Sequence, residues 1–192
     1  MARVAERSQL TADEYLAWER QQPVRHEFFH GEVFAMAGGS VRHNALCARL
    51  IELLGARLRD RCVVLSSDQR VVAVNRARFV YPDVSIVCGP VVVEAGPHGD
   101  VLVNPTILFE VLSESTEQYD RGLKWEGYQR IETLTDYVLV SQAEPRIEHF
   151  RRDRSRTWVY QFASAGERLA LSNGVELDLD EVFAGVMQLP GG

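Results

Sequence analysis

Two acids set among hydrophobic residues are the groups in this chain best suited to do chemistry. Asp83 lies in the run Phe79-Val80-Tyr81-Pro82-Asp83-Val84-Ser85-Ile86-Val87. Glu110 lies in Thr106-Ile107-Leu108-Phe109-Glu110-Val111-Leu112-Ser113. Both runs are short, rich in β-branched and aromatic residues and bounded by Gly, Pro or Asn, which is the pattern of strands. In the second run Ile107, Phe109 and Val111 share one face, and Leu108, Glu110 and Leu112 the other. Apolar residues on both faces predict a central strand covered on two sides. A carboxylate there needs a cation, a metal ion or a proton, because burying it unpaired is costly. In the first run Asp83 shares its face with Tyr81 and Ser85, while Val80, Val84 and Ile86 form the apolar face. Two such acids suit a shared metal site. The alternative is two separate acids, each paired with an arginine or with capping backbone groups.

The elements that must position these acids can be read in order. Thr11-Ala12-Asp13-Glu14 is a capping box, predicting a short helix that stops before Pro23. Residues 24–30 and 32–37 read as two strands turned at Gly31, and Gly38-Gly39-Ser40 caps a long helix from 41 to about 59. In that helix Leu46, Leu50, Leu53, Leu54 and Leu58 fall at steps of three and four, giving one core-facing stripe. Strands are predicted over 62–66, 70–74 and 79–87, then a loop over 89–104 containing Pro90, Gly96, Pro97 and Gly99. After the Glu110 strand come a helix from about 117 to 131, a strand over 137–141 and a hairpin of 146–150 with 158–163. Residues 175–183 read as an edge strand or turn running into a short helix. No repeat or linker interrupts the chain, so a single domain over 1–192 is expected, with its core at about 10–183.

Composition bounds the answer without choosing it. The 192 residues are 25% charged and 46% hydrophobic, which is ordinary globular material. With 21 basic and 27 acidic residues the net charge is −6. That argues against a nonspecific nucleic-acid coat protein, whose phosphate contacts need a basic surface. Local clusters remain, at Arg151, Arg152, Arg154 and Arg156 and at Arg57, Arg59 and Arg61, each of which also reads as a solvated charged face. Cys47, Cys62 and Cys88 are odd in number and widely spaced, with no C-x-x-C pair, so buried reduced thiols are expected rather than a disulfide framework or zinc knuckle. The first ten residues carry no apolar signal core and no run approaches a membrane span, so a cytoplasmic protein without membrane contact is expected.

Pro82-Asp83 followed by Glu110-Val111-Leu112 has the outline of a nuclease signature, and a wider frame strengthens it. Glu27 and Gly31, His43, Pro82-Asp83-Val84, Pro105, Glu110-Val111-Leu112-Ser113 with Ser115, Asp120, Lys124, Tyr128 and Asp136-Tyr137 occur in that order. In this the chain resembles the Uma-type restriction endonuclease family, formerly a domain of unknown function, within the PD-(D/E)XK nuclease superfamily. The resemblance runs from about 10 to 183. It implies an α/β fold with a restriction-endonuclease-like mixed sheet flanked by helices, an N-terminal hairpin and C-terminal strands. It implies Asp83 and Glu110 as metal-binding acids; the ligand preference of Mg²⁺ (or Mn²⁺) for a few carboxylates and other oxygens suits these two, with the Val111 carbonyl as a further ligand. The motif lysine would stand two residues after the glutamate, where this chain has Leu112. The family's usual answer is a lysine moved onto the next helix, the place of Lys124.

The residues support that transfer on their own terms. Asp120, Lys124 and Tyr128 are spaced four apart and share a helix face, which Ile131 extends inward. The competing reading makes Lys124 a partner of Asp120 on a solvated face. Hydrolysis of a phosphodiester builds negative charge on the phosphoryl group. A hard divalent ion held by two carboxylates neutralises that charge and acidifies bound water, and a lysine orients the water. Glu27 is a candidate third acid or a strand-surface acid. His43, in the first turn of the long helix, either reaches phosphate or is merely exposed. Asp68 reads as a turn residue, and His98 and His149 show no partner pattern.

The expectation is therefore a metal-dependent endonuclease acting on nucleic acid, DNA foremost, and working as a homodimer because cutting two strands takes two sites. Its rivals are a catalytically weak or silent nuclease-fold module for nucleic-acid binding or assembly, and an unrelated α/β enzyme using the same acids.

Overall fold

The computed structural model describes residues 6–7, 9–94 and 100–191. The capping box closes as the sequence predicts. The Glu14 backbone N–H donates to Thr11 Oγ1 and the Thr11 backbone N–H donates to the Glu14 carboxylate, starting α1 (Ala12–Glu19). A hairpin follows, β1 (His26–Phe29) with β2 (Glu32–Ala35). Its turn places His30 and Gly31 at positive φ, +47° and +92°, and glycine adopts that conformation without steric cost. Ser40 caps α2 (Val41–Leu58) by accepting from the His43 N–H, and Leu46, Leu50, Leu54 and Leu58 are buried along one stripe.

The middle of the chain supplies β3 (Cys62–Ser66), β4 (Arg70–Ala73), β5 (Arg78–Val80) and β6 (Val84–Cys88). Next come the short β7 (Val101–Leu102) and β8 (Ile107–Val111). After α3 (Glu117–Tyr119), a π-helical turn (Asp120–Lys124) and α4 (Trp125–Tyr128), the chain enters β9 (Asp136–Val140) and the hairpin β10 (Arg146–Arg152) with β11 (Trp158–Ser164). It ends in β12 (Arg168–Ala170), β13 (Glu176–Asp178) and α5 (Leu179–Phe183).

These strands form a five-stranded sheet in the order β2-β1-β5-β4-β7, a six-stranded sheet in the order β11-β10-β9-β8-β6-β3, and the small pair β12-β13. The six-stranded sheet is mixed: β8 and β9 run parallel and the other neighbours antiparallel. As predicted, β8 is buried along its whole length. Ile107, Phe109 and Val111 pack with the α2 leucines, Val84 and Ile86. On the other face Leu108 and Leu112 pack with Tyr128, Ile131, Leu134, Tyr137 and Leu139. Each fully buried leucine of that kind contributes roughly 2 kcal/mol. A third core, of Tyr15, Leu16, Phe28, Val33 and Phe79, joins α1 to the five-stranded sheet.

Four expectations are corrected. The run 79–87 is not one strand: it breaks at Tyr81-Pro82-Asp83, so β5 belongs to one sheet and β6 to the other. Proline has no N–H to give a ladder, and this one falls where the chain changes sheets. Asp83 therefore stands at the seam of the two sheets, not on a strand face with Tyr81 and Ser85. The helix expected over 117–131 is cut into short pieces around the π-helical turn. The loop over 89–104 contains β7, which pairs in parallel with β4, and an isolated bridge between Val93 and Leu102. Residues 95–99, which include Gly96, Pro97, His98 and Gly99, lie outside the described residues.

The fourth correction concerns the thiols. Cys62 and Cys88 are joined by a disulfide, leaving Cys47 free. They are cross-strand partners in the β3–β6 register with Cα atoms 4.2 Å apart, a closeness invisible before the strands are paired.

Candidate active site

Glu110 is the penultimate residue of β8 and is buried on the face turned towards the π-helical turn. Its Oε1 accepts from Lys124 Nζ at 3.0 Å and from the Tyr128 hydroxyl at 2.8 Å. Lys124 is itself buried, and its ammonium also lies 3.2 Å from Glu27 Oε1 on β1 and 3.2 Å from Asp120 Oδ1. Asp120 Oδ1 is out of hydrogen-bond alignment with that ammonium and has no other hydrogen-bond partner among the described residues. Lys124 and Asp120 do pair, then, but in the interior rather than on a solvated face. The π-helical turn that carries them is pinned from two sides. The Tyr137 hydroxyl donates to the Asp120 carbonyl at 3.0 Å, and the buried Arg78 Nη1 donates to the Leu123 carbonyl. A side chain at Gly127 would place its Cβ 2.7 Å from Arg78 Nη1, so glycine there makes room for the guanidinium.

Asp83 approaches from the seam. Its Oδ2 accepts from the Val111 backbone N–H at 2.7 Å, which ties the first acid to the residue after the second, and lies 3.3 Å from His43 Nε2. The Tyr81 N–H donates to Glu27 Oε1 at 3.4 Å, so the same strand break also touches the third acid. His43 is part-buried rather than freely exposed. Its Nδ1 faces Cys47 Sγ at 3.6 Å, one helical turn along α2.

The acids outnumber the cations that lie against them among the described residues. Glu110 and Asp120 lie against the Lys124 ammonium and Asp83 against the His43 imidazole. Burial pushes the Glu110 carboxyl well above the ordinary range; Lys124 opposes this, and Asp120, Asp83 and Glu27 add to it. Burial also raises Asp120 against the pull of Lys124 and Thr116. Burial alone would lower Lys124, but Glu110, Glu27 and Asp120 outweigh it and keep the ammonium charged. Burial likewise disfavours charged His43, and the Asp83 carboxylate more than offsets that.

Such a pocket suits an added hard cation. Among the described residues the hydrogen bonds of Asp83 run through Oδ2 and those of Glu110 through Oε1, which would leave the other oxygen of each acid for a ligand. All-oxygen donors of this kind fit Mg²⁺ or Mn²⁺.

Sequence reasoning singled out Glu27, His43, Asp83, Glu110, Asp120, Lys124 and Tyr128, and the fold gathers all of them at this junction. Val111 enters through its N–H, while Leu112 faces the apolar core on the far side of the sheet from α2. Cys47 was overlooked as an inert thiol; its signal was the four-residue spacing from His43. His149 does have a partner. It is fully buried, with Nε2 2.7 Å from Asp136 Oδ1 and Nδ1 2.9 Å from Gln161 Nε2, a network on the sheet remote in sequence from the acids. Asp68 is exposed in its turn and pairs with Arg25.

A family model described as Uma2, "Putative restriction endonuclease", matches residues 12–185. Two uncharacterized proteins of Synechocystis sp. are similar. One is 34% identical over 179 residues, covering 92% of this chain and 93% of the relative; the other is 34% identical over 155 residues, covering 78% and 85%. Among solved structures, one described as a "putative nuclease belonging to DUF820" from Anabaena variabilis superposes with a TM-score of 0.75 at 13% identity. It covers 92% of this chain and 99% of that one. At that identity the likeness speaks for the fold.

Proposed function

The chain belongs to the Uma2 restriction endonuclease family, and from that premise we propose that it is a divalent-metal-dependent nuclease hydrolysing phosphodiester bonds, with DNA as its substrate. The observation that carries this reading is the buried Lys124 ammonium, held by Glu110, Glu27 and Asp120 beside the seam where Asp83 meets β8. Asp83 and Glu110 would hold Mg²⁺ or Mn²⁺ through their remaining oxygens, with the Val111 carbonyl next to them. When bound, the ion supplies neutralisation of the phosphoryl charge and acidification of water.

The chain's own groups do the rest. Lys124 orients the attacking water and carries positive charge towards the phosphoryl oxygens. Tyr128 and Asp120 hold Glu110 and Lys124 in register, and Glu27 adds a further anchor for the ammonium. His43 holds the Asp83 carboxylate through Nε2 and so sets its orientation towards the ion. A nucleic-acid substrate fits a cytoplasmic protein. Cutting both strands of a duplex calls for a homodimer.

The test is cleavage of single- and double-stranded DNA, with RNA alongside, in Mg²⁺ or Mn²⁺. The unaltered chain should cut, chelation should stop it, and Asp83→Ala should lose about a hundredfold or more. Absence of cleavage with intact metal binding would move the protein to the silent-module reading, which Leu112 at the motif's lysine position favours.

A further inference from the structure

His43, Cys47 and Asp83 form a second constellation at the rim of the acid pocket. We propose that these three residues bind a soft divalent cation, Zn²⁺ being the best fit, and that the bound ion withdraws Asp83 from the hydrolytic site. The first half stands by itself; the loss of hydrolysis rests on the nuclease reading given above.

The donors are one imidazole nitrogen, one sulfur and one carboxylate oxygen, all within 4.8 Å of one another and all part-buried. His43 and Cys47 stand four residues apart on α2, neighbours on one helix face. Asp83 is brought against them by the seam between the sheets, with Oδ2 3.3 Å from His43 Nε2. Zinc holds nitrogen and oxygen at about 2.0–2.1 Å and sulfur at about 2.3 Å, so donors on one tetrahedral ion stand roughly 3.3–3.7 Å apart. The donors, up to 4.8 Å apart, would have to draw in to close onto an ion, with one imidazole nitrogen as ligand. Three protein donors leave the fourth position to water.

Two further observations fit. A Cβ at Gly39 would lie 2.6 Å from His43 Nδ1, so the turn before α2 leaves the ring the room that any side chain would take. Burial pushes the Cys47 thiol well up and the Asp83 and Glu110 carboxylates add to this, so the thiolate needs a bound cation to offset them. Cys47 is also the one cysteine outside the disulfide. Selectivity follows from softness: Mg²⁺ takes oxygen donors and keeps its water, whereas thiolate and imidazole favour Zn²⁺. Both ions need Asp83, so they compete.

The probe is Co²⁺, titrated into the metal-free full chain. A thiolate-to-cobalt charge-transfer band should grow to one equivalent and disappear on adding Zn²⁺. Cys47→Ser should lose the band, retain Mg²⁺-dependent cleavage and become about tenfold or more less sensitive to Zn²⁺, the usual scale for damage to a metal site. No band in the unaltered chain, or the same band in Cys47→Ser, overturns the site. Should Cys47→Ser fail to fold, alkylation of Cys47 in the unaltered chain reads the same contact. Saturating Zn²⁺ should protect the thiol, and an unchanged alkylation rate overturns the proposal. A band without any Mg²⁺-dependent cleavage leaves the cation site standing and sinks the nuclease reading and the competition built on it.

Discussion

Lys124 is the residue on which the acid pocket balances, and its removal should be felt in stability as well as in activity. Lys124→Ala leaves Glu27, Glu110 and Asp120 facing one another in the interior without their shared cation. Breaking a buried pair by deleting one partner costs about 3–5 kcal/mol. The loss should be largest near neutral pH and shrink in mild acid, because protonating the acids removes the charge that lacks a partner. Urea unfolding of both proteins at two pH values checks this. An equal, small loss at both would mean that Lys124 does not hold the acids together. Much of this was legible in the sequence. The four-residue steps from Asp120 to Tyr128 put three polar groups on one face, and the pattern of β8 put Glu110 in the interior. Ile131 on the same face turned it inward, but the partners it meets there, Glu27 among them, were not legible, because spacing fixes which residues are neighbours and not what they face. Cys47 escaped for a related reason: a thiol among leucines reads as packing until His43 and Asp83 are seen beside it.

At the scale of elements, hydrophobic runs gave the strands but not their sheets. The residues of 79–87 alternate correctly throughout, yet Val80 packs in one core and Val84 in another. A change of sheet leaves no mark on that periodicity beyond Pro82, and it is this change that delivers Asp83 to β8. The π-helical turn was equally hidden, since its wider turn of i→i+5 hydrogen bonds has no residue pattern of its own. Here Arg78 takes the Leu123 carbonyl from a distant strand. Strand register was the third missing quantity, and it decides the Cys62–Cys88 bond. Closing a loop with a sequence separation of 26 restricts the unfolded chain by about 3–4 kcal/mol on the chain-entropy scale. Reduction, or Cys62→Ser with Cys88→Ser, should therefore lower unfolding stability by that order while leaving the sheet intact. Denaturant midpoints measured with and without reductant would read it. Coincident curves would show that the β3–β6 pairing gains nothing from the bond.

For the whole molecule, the acid pocket couples proton, metal and fold. Glu110 is held well above the ordinary carboxyl range by burial and by its neighbouring acids, whereas in the unfolded chain it titrates near the ordinary value of about 4.5. Between those two values the folded chain keeps a proton that the unfolded chain has released. Metal-free stability must therefore fall as pH rises from the unfolded value through the folded one. Lys124, whose folded value is also raised, adds stability that persists through neutral pH and is lost only in strong alkali, so it does not mask the effect. A divalent cation binding the ionised acids should reverse the fall, by about 2.7 kcal/mol at a hundredfold its dissociation constant. Glu110→Gln keeps a neutral group of the same shape on β8 and leaves Glu27 and Asp120 for Lys124. It should flatten the pH dependence, stabilise the metal-free protein near neutral pH and remove most of the gain from Mg²⁺ or Mn²⁺. Melting curves for both proteins across pH, with and without metal, decide the matter. If the unaltered chain shows no metal-dependent shift, or the variant keeps all of it, then Asp83 and Glu110 do not share one ion.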